Sequence, residues 1–349
     1  MIKRVRKLLL VYAVVLLMLC GCNLESNGVV NDTDDTEEKI QIGVSFESFV
    51  IERWLRERDI FISKASELGA EVNVQIANGN LEEQISQIEY FIEKKVDVIV
   101  IVAADSDGLT EVVDKAKKEG IKVVAYDRLI NNADIDLYIS FDNVEVGRLM
   151  TEEMISEIGD SGKILIIMGP HSDNNVSLVM DGIQSALRKT NIIVDKIVHA
   201  EGWQGEIAYD EVNKYISSGK VPLGIICGND TLAGNAVRAL SENRLVGTVY
   251  VTGQDADLDA CQRIVEGTQD MTVYKDVELL ATQAARLCVD LATDQALSLK
   301  DTINNGKKDI PCQLIQVAVV TADNMDDIIT GRYHQKSDIY LNVPKTSDE

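Results

Sequence analysis

Short runs rich in isoleucine and valine alternate with amphipathic stretches of helical period, and that rhythm leaves this chain few ways to fold. Residues 40–46, 72–77, 96–102 and 121–125 have the length and β-branched content of buried strands. Between them, 50–68, 81–94 and 108–119 repeat apolar positions at the spacing of a one-faced helix. Gly69 and Gly120 stand where a glycine ends a helix. Strand–helix alternation with strands apolar on both faces predicts an α/β architecture: a parallel sheet covered by helices on each side.

The rhythm continues along the chain. A short strand is expected at 137–141 and a helix at 144–158. Strands at 163–168, 192–199, 223–227, 248–252 and 271–274 then alternate with helices at 175–189, 206–217, 231–241, 257–266 and 276–293. A late strand is expected at 313–320. The chain has four prolines, and none falls inside a predicted helix. The folded part starts near Ile40, leaving about 310 residues, more than one core usually serves. Two doubly wound lobes are therefore expected. Ligands of open parallel sheets sit beyond the carboxyl ends of the strands, so two facing lobes would hold a ligand in the cleft between them.

The first residues carry a different message. Lys3, Arg4, Arg6 and Lys7 precede an apolar run at 8–19 that suits a signal peptide and is short for a membrane span. Leu19-Cys20-Gly21-Cys22 resembles a bacterial lipobox. Residues 1–21 would be removed and Cys22 would carry the lipid, anchoring the protein outside the cytoplasm. Residues 22–39 are polar, acidic and aperiodic, as in a flexible tether. The formal net charge is -23, and loss of the four leader cations takes it to -27. That balance argues against a nucleic-acid partner. Cys227, Cys261, Cys288 and Cys312 form no CxxC pair and have no close histidine, so no metal is expected on them.

Polar residues gather just after the predicted strands. They include Tyr126-Asp127-Arg128, Gly169 to Asn175, Gly228-Asn229-Asp230, Gly253 to Asp257, and Lys275. Carboxylates, guanidinium groups and amides together suit hydroxyls, each of which both donates and accepts. Trp54 and Trp203 are the chain's two tryptophans, both near loop–helix junctions where an indole can stack on the C–H face of a sugar ring. His171 is a further candidate for the cleft. Asp255, Asp257, Asp259 and Glu266 have the spacing of calcium-loop acids, but Ala260 replaces the required glycine, so the segment reads as a helix start. No Gly-x-Ser-x-Gly, phosphate loop or His-Glu-x-x-His is present. Asp127 and Asp255 read better as hydrogen-bond acceptors for a held ligand than as a glycosidase pair, and no cofactor or catalytic residue is expected.

Several segments, taken in order, resemble the type I periplasmic sugar-binding protein family, in particular its D-xylose-binding members. These are Glu52-Arg53-Trp54 with Arg58 to Phe61, Gln75 to Asn80, Ala125 to Arg128, Asp134-Ile135-Asp136, and Tyr138 to Asn143. Gly253 to Leu258 and Met271 to Lys275 extend the likeness, which runs from about Gln41 to Lys336. The resemblance implies two lobes joined by three crossings, with 40–142 plus 276–312 in one, 143–275 plus 313–341 in the other, and a tail at 342–349. It implies ligand roles for Arg53, Trp54, Asp127 and Arg128 on the first lobe. On the second lobe or hinge side it implies them for Asp173, Asn175, Trp203, Asn229, Asp255 and Lys275. The implied ligand is D-xylose or a related pentose. The implied partner is an ABC permease, with the extracellular domain of a sensor histidine kinase as the alternative. Glu47 and the loop Gly169-Pro170-His171-Ser172 depart from the usual pattern, which bears on how hexoses would be excluded.

Overall fold

A computed structural model describes residues 39–343. The expected signal peptide, the expected lipidation site Cys22, almost all of the expected tether and residues 344–349 lie outside the described residues.

The first half alternates strictly: β1 (Ile40–Phe46), α1 (Arg53–Glu67), β2 (Ala70–Ile76), α2 (Leu81–Glu93), β3 (Val98–Ile101), α3 (Thr110–Lys118), β4 (Lys122–Tyr126) and β5 (Leu137–Phe141). The second half holds α4 (Asn143–Ile158), β6 (Ser161–Met168), α5 (Asn174–Leu187), β7 (Asn191–His199) and α6 (Gly205–Ser217). It continues with β8 (Gly224–Cys227), α7 (Asp230–Glu242), β9 (Tyr250–Thr252), α8 (Leu258–Val265) and β10 (Thr272–Lys275). The chain then forms α9 (Val277–Ala292), β11 (Asp301–Asn304), β12 (Asp309–Ile315) and β13 (Val317–Val320), and ends in short helices α10 (Met325–Ile328) and α11 (Lys336–Ile339).

One sheet has seven strands in the order β11-β12-β5-β4-β3-β1-β2, and another has four in the order β7-β6-β8-β9. Strands β10 and β13 pair separately and antiparallel. The chain leaves the larger sheet after β5, returns after β10 and leaves again after β12, so two lobes are joined by three passages. Both larger sheets are parallel apart from the antiparallel edge strand β11. Strands β3 and β8 are buried end to end, as their unbroken apolar runs require.

The structure differs from the expectation at the late strand. Residues 313–320 are not one strand: β12 starts at Asp309 and joins the larger sheet, and exposed Gln316 separates it from β13. The partner strand β11 was not expected. Its sequence Asp301-Thr302-Ile303-Asn304 is polar and nearly wholly exposed, so it carries no apolar alternation.

Candidate functional site

All ten residues to which the resemblance gives a ligand role line one narrow cavity between the lobes. Arg53 and Trp54 open α1, directly beyond β1. Asp127 and Arg128 follow β4. Asp173 and Asn175 stand at the start of α5 beyond β6, Trp203 lies beyond β7, and Asn229 lies beyond β8. Asp255 follows β9, and Lys275 ends β10. Every contribution thus comes from the carboxyl end of a strand. Ile51, Met168, Val176, Val179 and Gln254 complete the wall.

Arg53 organises the charges. Its guanidinium donates to Glu57 and, at 2.7 Å, to Asp127, and its Nε lies 3.5 Å from Asp255 Oδ1. It also lies 3.9 Å from the Trp54 ring centre, a cation–π distance. Burial alone would lower its pKa, but the facing carboxylates outweigh that and raise it well above the ordinary value. Burial would raise the Asp127 carboxyl, yet Arg53, Lys275 and Arg128 together hold it below its usual range. At Asp173, burial wins and the pKa is raised, although Arg128 Nε lies 2.8 Å away. Three cations (Arg53, Arg128 and Lys275) therefore face Asp127, Asp173 and Asp255 in the lining. That near-balance suits an uncharged ligand and disfavours a phosphate or an amine.

The remaining hydrogen-bonding capacity is mixed. Asn175 Nδ2 donates to Asp127 Oδ1 at 2.9 Å, leaving Asn175 Oδ1 buried and unpaired. Asn229 Oδ1 accepts from the Leu232 N–H as a helix cap, so its amide NH2 is what it has to offer a ligand. Trp54 Nε1 and Trp203 Nε1 are buried donors without partners, and Arg53 Nε and Arg128 Nε have ion-pair neighbours but no aligned acceptor. Gln254 Oε1 and Asp255 Oδ1 are acceptors in the same condition. Among the described residues, seven of the nine such atoms belong to residues lining this cavity. Buried polar atoms are normally satisfied, so their concentration here marks where a ligand with many hydroxyls would bond.

The backbone is bent to build this wall. Asp127, Trp203 and Asp255 have φ values of 62°, 58° and 102°, a region that non-glycine residues seldom adopt. Each costs on the order of 1–3 kcal/mol, and such strain collects at binding sites. Gly169 serves Trp203: a Cβ there would lie 2.3 Å from the indole ring. Its lack of a side chain lets Trp203 lie flat against the end of β6.

Two sequence candidates take other roles. His171 does not line the cavity; its ring stacks on His199, with centres 3.7 Å apart. Glu47 stands behind Arg128 at 3.1 Å and holds it. Glu57 was not anticipated. It is fully buried, bonded to Arg53 and Tyr126, and burial pushes its pKa up to about 7. Its position four residues after Arg53 was the available signal.

Glu57 makes a testable pH signature. Its folded pKa exceeds the ordinary 4.5, so the stability it adds is full below about 4.5 and fades as pH rises through about 7. Thermal unfolding of the wild type and Glu57→Gln from pH 5 to 8 should show the wild type losing ground steadily to the variant. A constant difference would mean that Glu57 does not titrate in this range.

The fold and site together define a two-lobed solute-binding protein. Residues 42–296 match the family model described as a periplasmic binding protein domain. Over 333 residues the chain is 40% identical to the D-xylose-binding periplasmic protein of Escherichia coli (strain K12), covering 93% of this chain and 98% of that protein. It is also 40% identical over 309 residues to the D-xylose-binding periplasmic protein of Haemophilus influenzae, covering 86% and 92%. Among solved structures, an ABC transporter solute binding protein from Clostridium phytofermentans with bound β-D-glucose superposes with a TM-score of 0.78 at 27% identity, covering 86% of this chain and 99% of that one. The chain belongs to the type I periplasmic sugar-binding proteins, which bind solutes and are not enzymes.

Proposed function

We propose that this protein is a lipid-anchored extracytoplasmic receptor for D-xylose that closes its lobes on the sugar and presents the closed form to an ABC permease. The observation that carries the sugar reading is the set of unpaired donors and acceptors around a charge-balanced cavity. Hydroxyls satisfy both kinds of group, and a ligand lacking them would leave those atoms buried and unbonded. The ten lining residues named above are the proposed ligand contacts, with Trp54 and Trp203 against the ring. The name of the 40%-identical relatives supports xylose among the sugars. The lipid anchor rests on Cys22 and the apolar run before it.

Titration with D-xylose while following tryptophan fluorescence tests the reading, with glucose, ribose and arabinose as controls. A saturable change with xylose, lost in Trp54→Ala and Asp255→Ala, is expected. Wild-type affinity in both variants would overturn the contact assignment. Response to another sugar alone would replace xylose. Co-purification of membrane partners would separate a permease from a sensor kinase, and labelling by a radioactive fatty acid should disappear in Cys22→Ala.

A further inference from the structure

Beside the sugar cavity stands a second set of carboxylates that the cavity does not use. Glu52 immediately precedes α1 on one lobe, while Asp257 and Asp259 flank the start of α8 on the other. One oxygen from each lies within 4.8 Å of the others. Ile51 and Arg53 line the cavity, whereas Glu52 between them is exposed. Asp259 is also exposed and gives one oxygen to Arg263 at 2.5 Å.

Asp257 is the second observation. It is 5% exposed, its carboxylate has no hydrogen bond or ion pair among the described residues, and it faces the other two acids. The charges acting most strongly on it, from Asp230, Asp255, Glu52 and Asp259, are all negative. A carboxylate this buried ordinarily has a cation or a donor beside it. Calcium binds oxygen at about 2.3–2.6 Å, so oxygens sharing one ion can lie up to about 5 Å apart. The spacing here meets that. An all-oxygen set favours a hard cation. Irregular carboxylates with two exposed members, open to water, suit calcium's flexible coordination better than the strict octahedron of magnesium.

We propose that Glu52, Asp257 and Asp259 form a calcium site that ties the two lobes together beside the cleft. Glu52 is more than two hundred positions from the aspartates, which is why sequence spacing could not show it. Opening the lobes would carry Glu52 away from α8, so the ion binds the closed form better. By linkage, calcium tightens sugar binding and the sugar tightens calcium by the same factor. That coupling rests on the receptor reading; calcium binding itself does not.

The test uses the full-length protein in detergent, stripped with a chelator and titrated calorimetrically with calcium chloride in the absence of sugar. One saturable site is expected, weakened by about tenfold or more in Glu52→Gln through loss of a ligand charge. Diffuse binding to the acidic surface would survive that substitution. No saturable binding at millimolar calcium, or unchanged affinity in both Glu52→Gln and Asp259→Asn, overturns the site. In a second arm, xylose affinity is measured with and without calcium. A several-fold gain in the wild type, absent in Glu52→Gln, is expected. Calcium binding with no gain overturns the bridging role. Failure of xylose to bind under either condition counts against the sugar reading, and the first arm still decides the metal site.

Discussion

Arg53→Ala is expected to abolish sugar binding and to lower the melting temperature by about 10 °C, since an unpaired buried charge costs about 3–5 kcal/mol. The loss would exceed that of one hydrogen bond because Arg53 serves three carboxylates at once. Glu57, Asp127 and Asp255 are each at most 3% exposed, and without the guanidinium they keep only Lys275, 3.2 Å from Asp255, and the more distant pull of Arg128 on Asp127. Trp54 would lose the group packed over its ring. Arg53→Lys separates the two roles. Lysine keeps the charge but not the planar fork that reaches Glu57 and Asp127 together. It should recover much of the stability while sugar affinity still falls by about a hundredfold, the scale of one buried hydrogen-bonding group left unsatisfied. Scanning fluorimetry and calorimetric titration read the two effects separately. Wild-type values for Arg53→Ala in both would remove Arg53 from the centre of the site.

How much of this was visible in the sequence follows from how each feature is encoded. The strands β1 and β5 were read to their ends because apolar runs bounded by polar residues mark buried strands. The cleft residues were legible because they follow such runs, and a parallel fold fixes where strand ends point. Glu57 was not legible in the same way: it sits within α1, and only packing turns it beneath Arg53. Gln254 lies in the loop from Gly253 to Asp257, but its place in the cavity wall goes with Asp255 adopting a φ of 102°, which no glycine announces. Strand β11 escaped because it is held by backbone pairing to β12 and an Asn304–Asp309 side-chain bond, neither of which leaves an apolar alternation in the sequence. Short-range pattern carried the scaffold; what it missed depends on contacts between distant segments.

The second large effect lies where two helices meet without side chains between them. Gly182→Val is expected to cost more than about 3 kcal/mol and to send much of the protein into the insoluble fraction. Helices α4 and α5 cross at Gly147 and Gly182. A Cβ on Gly147 would lie 2.0 Å from the Val179 carbonyl oxygen, and one on Gly182 would lie 2.0 Å from that of Val144. Each obstacle is backbone, so no rotamer change relieves it and the helices must separate. That separation would reach the cleft, because the first turn of α5 carries Asn175 and the helix also supplies Val176 and Val179 to the cavity wall. Any folded Gly182→Val should therefore bind sugar more weakly, although residue 182 touches no ligand. Ser185→Val, exposed on the same helix, controls for adding a β-branched residue and should change stability by no more than about 0.5 kcal/mol. Denaturant unfolding of the soluble fractions makes the comparison. Equal stability of the two variants would mean that α4 and α5 separate at little cost, and that the close glycine crossing does not position Asp173 and Asn175.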